Sequence, residues 1–255
     1  MRRLIITLLV LAAVLVAADF GAAALAESAV SRQMRGQLGL VDDPSVRING
    51  FPFLTQAVSG RYPSIDVDAT RIPYGTFKEL EITAQLQGVT APLPMLLGSG
   101  QKTIEVARAD GTVKIDAADL ERLVPQATKV RIETVDKTTL QQAVKNGADP
   151  SVGKLDPEHA ARLVGTVSFF GASAEVAEIA TLQLSKGKAD IVPVDVRLSD
   201  GTGLPVPGSV QKEILNLFRI PLYDGDLPLN VVATTFRAQD GTLQISGTAR
   251  NLTLD

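Results

Sequence analysis

Apolar residues run from Leu4 to Ala18 with Thr7 as the single interruption; Asp19 breaks the run, and a second apolar patch follows from Phe20 to Ala26. Arg2 and Arg3 precede it. A positive flank before such a stretch is the pattern of an export signal, and Ala24, Leu25 and Ala26 form an A-x-A cleavage site. A membrane-spanning helix needs roughly 20 apolar residues, so retention as an anchor requires Asp19 to lie at the outer interface. Cleavage and anchoring both leave the body facing outward. Residues 1–26 are therefore expected to be a signal peptide or membrane anchor, and 27–255 a single domain.

Beyond the leader, Ala22, Leu25, Ala26, Ala29, Val30, Met34 and Leu38 recur at three- and four-residue steps, with Glu27, Ser31, Arg32, Arg35 and Gln37 on the other face. This spacing predicts an amphipathic helix stopped at Gly39, and the absence of a linker favours one continuous helix with the leader. The period then changes to two. Ile65, Val67 and Ala69 alternate with Ser64, Asp66, Asp68 and Thr70, and Leu80, Ile82, Ala84 and Leu86 alternate with Glu79, Glu81, Thr83 and Gln85. Both are patterns of half-buried strands. Hairpins are predicted at Asp110–Gly111, at Ser185 to Lys188 and at Asp240–Gly241. Short helices interrupt the strands: Asp116 with Asp119 and an Ile115–Leu120 staple, Thr138 with Gln141, Asp156 with Pro157, and Ser209 ahead of Val210, Ile214, Leu215, Leu217 and Phe218. Strands broken by short helices without regular alternation indicate an α+β fold with a mostly antiparallel sheet.

Composition narrows the chemistry. The 255 residues include no Cys, so disulfides, thiolate metal sites and cysteine nucleophiles are excluded, and the only histidine is His159, so no two-histidine zinc site exists. The formal charge is -3, which disfavours nucleic acid as a partner. No cofactor is expected. His159 is the one conventional general base near neutral pH, yet no G-x-S-x-G elbow accompanies it, and a surface histidine is the plainer reading. The segment GSGQKT, 98–103, lacks the spacing of a phosphate loop and reads as a turn. Asp66 and Asp68 share a strand face, where alternating acids mark solvent rather than a metal site.

The stretch NGFPFLTQAVSGRY, 49–62, concentrates two of the eight phenylalanines. Pro52 near a helix start, an apolar face of Phe53, Leu54, Ala57 and Val58, and a stop at Gly60 predict a short helix. Two readings stand side by side: both phenylalanines belong to the core, or the helix, beside Arg61, Tyr62 and Arg71, forms one lip of an apolar cavity whose basic residues meet an anionic headgroup.

The run NGFPFLTQAVSGRYPSIDVDATRI resembles an actinobacterial cell-envelope family long catalogued as a domain of unknown function, which includes the mycobacterial lipomannan elongation protein LmeA. VGTVSFFG at 164–171, KGKADIVPVDVRL at 186–198 and the closing IPLYDGDLPLNVVATTFRAQDGTLQISGTARNLTL are similar to it as well; 134–160 and YDGDLP depart from it. The resemblance implies a periplasmic protein handling anionic phosphatidylinositol-derived mannolipids. It also implies an elongated, lipid-transfer-like, tubular fold in which a twisted antiparallel sheet wraps a long helix, and a phospholipase-type activity has been associated with the group. Three hypotheses follow. The first is a lipid-binding or lipid-transfer module with an apolar lining of Phe51, Phe53, Leu54, Val58, Met95, Leu96, Leu97, Phe169, Phe170, Ile214, Leu215 and Phe218, and with Arg61 and Arg71 at the headgroup. The second is a phospholipase dependent on His159, and the third an envelope scaffold that holds no lipid. Expected partners are membrane phospholipids or mannolipids and the membrane surface.

Overall fold

The computed structural model describes residues 2–92, 94, 103–169, 172–185, 188–199, 219–223 and 232–254. The predicted helix that would start at Ser209 lies outside these residues. The fold is α+β: a long N-terminal helix and two antiparallel sheets, an arrangement that fits a lipid-binding wrapped-sheet fold. The elements are α1 (Arg2–Leu38), β1 (Ser45–Asn49), α2 (Phe53–Ser59), β2 (Arg61–Tyr74), β3 (Phe77–Thr90), β4 (Ile104–Ile115), α3 (Ala117–Leu123), β5 (Ala127–Glu133), α4 (Lys137–Lys145), β6 (Ala161–Phe169), β7 (Ala172–Ser185), β8 (Lys188–Leu198), β9 (Ile220–Tyr223), β10 (Val232–Gln239) and β11 (Thr242–Leu254). One sheet has the order β1-β2-β3-β4-β11-β10, and the other is the meander β5-β6-β7-β8-β9. The chain divides into two compact units, unit 1 formed by 1–71, 82–111 and 249–255, unit 2 by 72–81 and 112–248.

In unit 1 the leader and the amphipathic segment are one helix of 37 residues, as the missing linker suggested. Ala22, Ala23, Ala26, Val30 and Met34 pack against Val46, Ile48, Phe53, Tyr62, Ile65, Val89 and Val106. The buried stripe differs from the expected one: Leu25 and Leu38 are exposed, while Asp19 and Ser31 are buried and Glu27 is half-buried. The reason is hydrogen bonding to backbone groups that burial would otherwise leave unpaired. Asp19 accepts from the N–H groups of Phe53 and Leu54, both at 2.8 Å, Glu27 accepts from Ile48 N–H at 2.7 Å, and Ser31 donates to Pro44 C=O at 2.5 Å. β1 is an edge strand, so Glu27 covers a donor that no neighbouring strand takes.

α2 begins after Pro52 and ends at Gly60, whose φ of 65° is the left-handed conformation of a helix C-cap. Gly60 is also a point of close approach: its C=O accepts from Ala91 N–H at 2.8 Å, and a Cβ there would meet Ala91 O at 3.2 Å. The residue before α2 is a proline with no side-chain cap of its own, and the capping carboxylate comes instead from Asp19, 34 residues earlier.

In unit 2 the core gathers Leu120, Ile132, Leu163, Val167, Val176, Ile191, Val196, Phe236 and Leu243. α3 starts as expected, with the Asp116 carboxylate accepting from Asp119 N–H at 2.6 Å. Asp119 itself is fully buried; it accepts from Lys78 and Glu79 N–H at 2.8 and 3.1 Å and pairs with Arg122. Three expectations are corrected. Asp110–Gly111 is not a turn but lies mid-strand in β4, where Arg108 and Asp110, two residues apart on one face, form an ion pair at 2.8 Å across extended backbone. Among the described residues the I′-type geometry appears at Asp240 and Gly241, with φ of 52° and 74°. The α4 cap is Asp136, not Thr138: its carboxylate accepts from Thr139 N–H at 2.6 Å and Thr139 Oγ1 at 2.7 Å, and a charged acceptor is the stronger one. Asp156 and Pro157 open only a 3-10 turn, Pro157–His159, because Ala160 and Ala161 are drawn fully buried into β6 and the sheet.

Removing the remote cap tests the clasp. Asp19→Ala is expected to lower the stability of unit 1 by about 1–3 kcal/mol, leaving two α2 donors without a carboxylate. Hydrogen exchange should accelerate at the Phe53 and Leu54 amides and stay unchanged at Ala180 and Ile191 in unit 2.

Candidate functional site

The structure separates the residues singled out in 49–62. Phe53 is 3% exposed and sits in the unit 1 core with Tyr62, whereas Phe51, Leu54 and Val58 face outward, Val58 at 91% exposure. The buried face of α2 is Phe53 and Gln56 with Ala57 half-buried, so the expected face of Phe53, Leu54, Ala57 and Val58 is split. The cause is again Asp19. Docking the first turn of α2 onto its carboxylate sets the helix rotation, and that rotation turns Gln56 in and Val58 out. Phe51 stacks on Phe20 of α1, with ring centroids 5.9 Å apart and planes 24° from parallel. Arg61 is exposed at the start of β2. Arg71, left-handed at φ 52°, directs its guanidinium fork at the Asp42 carboxylate, Nε to Oδ2 at 2.5 Å. Met95, Leu96, Leu97, Phe170, Ile214, Leu215 and Phe218 lie outside the described residues; Phe169 ends β6, described for its backbone alone.

His159 is exposed at the end of its 3-10 turn, Nδ1 3.8 Å from the Asp156 carboxylate. Asp66 accepts from Asn49 Nδ2 at 2.8 Å and Gln85 Nε2 at 3.0 Å, and these bonds hold its carboxyl below the ordinary value. Among the described residues no three acidic or histidine side chains are grouped to hold a metal.

Unit 2 carries a group that the sequence reading missed. Glu178 is 2% exposed, and neither carboxylate oxygen has a hydrogen-bond partner among the described residues. It lies in register between Leu163 of β6 and Val196 of β8, on the face of the sheet that forms the core. Around it Leu120, Val124, Ala127, Val130, Val176 and Ile220 line an apolar pocket with a void of about 20 Å³, room for one water. Desolvation raises the Glu178 carboxyl well above its ordinary pKa. Burial in apolar surroundings thus favours the protonated acid, a form able to donate one hydrogen bond and accept others. A signal was present: Val176, Glu178 and Ala180 occupy alternate positions in β7, so a period of two puts the glutamate on the inward face.

The opposite face is polar. A cavity of about 430 Å³ lies between α4 and the sheet, lined by residues that include Asp136, Gln142, Asn146, Arg162, Asp195 and Arg197. Its charges are matched internally: Arg197 Nε donates to Asp195 Oδ2 at 2.6 Å and Nη1 to Asn146 C=O at 2.6 Å, binding the C-terminal end of α4 to β8, while Arg162 donates to Glu133 at 2.5 Å. One face of the meander thus carries a paired ionic network, and the other a buried glutamate among aliphatic side chains with no hydrogen-bond partner among the described residues.

Residues 17–248 match the LmeA-like phospholipid-binding family. The chain belongs to this family. No curated protein and no solved structure matches it. Membership supports lipid binding. The matched region begins inside α1, two residues before Asp19, so the family segment includes the part of the helix that packs into unit 1.

The raised acid has a direct consequence for pH. Because Glu178 binds its proton more tightly folded than unfolded, its contribution to stability is complete below the ordinary glutamate pKa and is lost as pH rises from there to the folded value, by at most about 1.4 kcal/mol per unit. Glu178→Gln is expected to remove this decline, giving a flatter profile of stability against pH and a higher midpoint at neutral pH in denaturant titrations.

Proposed function

We propose that the protein is an exported lipid-binding or lipid-transfer module, held at the outer face of the cytoplasmic membrane by α1, which takes up anionic phospholipids of the phosphatidylinositol class and supports mannolipid metabolism in the cell envelope. Membership of a phospholipid-binding family across residues 17–248 is the observation that carries this reading. Of the residues read from the sequence as lipid-contacting, Leu54, Val58 and Arg61 are exposed in unit 1 and open to a lipid. An acyl chain buried in apolar surroundings gains about 0.8 kcal/mol per methylene, enough for one ordinary chain to bind well.

Retention of α1 is favoured over cleavage by what cleavage would remove. A cut after Ala26 takes away Asp19, Ala22, Ala23 and Ala26, and with them the α2 cap and part of the unit 1 core. The segment from Arg2 to Leu38 is long and apolar enough to cross a membrane, with a mean hydropathy of 2.6 in its most apolar window.

Lipid extraction and native mass spectrometry of the full-length protein purified from membranes should find a co-purifying phospholipid of the anionic class. Absence of bound lipid, together with no binding to vesicles containing phosphatidylinositol, overturns the reading.

A further inference from the structure

We infer that α2 is a membrane-docking element: its outward residues Leu54 and Val58, with Phe51 just before the helix, lie in the headgroup and acyl boundary of the leaflet in which α1 ends. The inference rests on the reading of α1 as a retained span and adds to it a second point of attachment.

Three observations within unit 1 lead to it. The first is attachment. The Asp19 carboxylate holds the Phe53 and Leu54 N–H groups at 2.8 Å, and Phe20 stacks on Phe51, so α2 is fastened to α1 at positions 19 and 20. The second is length. A hydrocarbon core of about 30 Å takes about 20 helical residues at 1.5 Å each, so a span starting at Leu4 reaches about position 23, beyond the point at which α2 is held. α2 therefore sits at the level where the span leaves the bilayer, not clear of it. The third is chemistry. Phe53–Ser59 contains no charged side chain, Phe51 is 60% exposed, and Leu54 and Val58 stand one turn apart on the outward side. Phe20 and Leu25 of α1 are exposed at the same level, so the apolar surface is continuous with the span. Arg61 follows directly and suits the phosphate layer.

This placement also accounts for Asp19. A carboxylate near the end of a span is costly unless its oxygens are occupied. Here each takes a backbone N–H of α2, so the acid and the helix N-terminus enter the boundary as a satisfied pair.

The chain has no tryptophan, which makes single-tryptophan probes clean. Full-length Phe51→Trp, Val58→Trp and, as a control on exposed β2, Thr70→Trp would be reconstituted in vesicles of phosphatidylcholine and phosphatidylglycerol, with and without brominated acyl chains. The expected result is blue-shifted emission that brominated lipid quenches at positions 51 and 58, with water-like, unquenched emission at position 70. Adding Val58→Asp to the Phe51→Trp protein should relieve the quenching without lowering the unfolding temperature, since position 58 is exposed. Protein that floats with the vesicles while positions 51 and 58 remain in water overturns the docking inference and leaves the anchor standing. Protein that alkaline extraction releases from the vesicles overturns both.

Discussion

Unit 1 is organised around a single constraint: the inward side of one long helix must pack on protein while every backbone group it covers keeps a hydrogen-bond partner. α1 meets it with three polar side chains on its inward side. Asp19, Glu27 and Ser31 occupy successive levels of the helix and reach α2, the edge strand β1 and the Pro44 carbonyl in turn. Between them Ala22, Ala23 and Ala26 let the helix approach closely, so the apolar contact and the hydrogen bonds form together. A buried polar group left unpaired would cost about as much as several buried methylenes gain, which is why these three positions rather than the larger Leu25 and Leu38 define the contact face.

Unit 2 solves a different problem with the same economy of partners. On the α4 side of the meander, charge is concentrated but matched: the nearly buried Asp195–Arg197 pair is completed by the Asn146 carbonyl, and the same contact holds α4 to the sheet. Asp119 plays a comparable part in the core, ordering the start of β3 through two backbone N–H groups while Arg122 balances its charge. Glu178 is the exception, a buried acid with no hydrogen-bond partner among the described residues, whose proton affinity burial raises.

Much of the scaffold was legible from local pattern. The continuous N-terminal helix, the alternating strands, the Asp240–Gly241 hairpin and the extent of α2 between Pro52 and Gly60 all follow from rules that act within a few residues. The misreadings have a common origin. Asp110–Gly111 has turn composition, yet sheet pairing and the Arg108–Asp110 ion pair keep it extended. Thr138 lost the capping role to Asp136, two positions away, because both satisfied the spacing and the carboxylate is the better acceptor.

The sequence by itself determined the element types, the export pattern at the N-terminus, the lack of thiol and histidine-rich metal chemistry, and the resemblance that family membership bears out. Tertiary structure alone decided what the inward polar groups meet. The partner of Asp19 is 34 residues away, Glu178 is desolvated between Leu163 and Val196 of neighbouring strands, and the exposure of Val58 depends on how α2 is clasped to α1. Hydropathy reads a residue against its own neighbours in the chain, whereas the free energy of a carboxylate is set by the donors, charges and solvent that the fold brings to it.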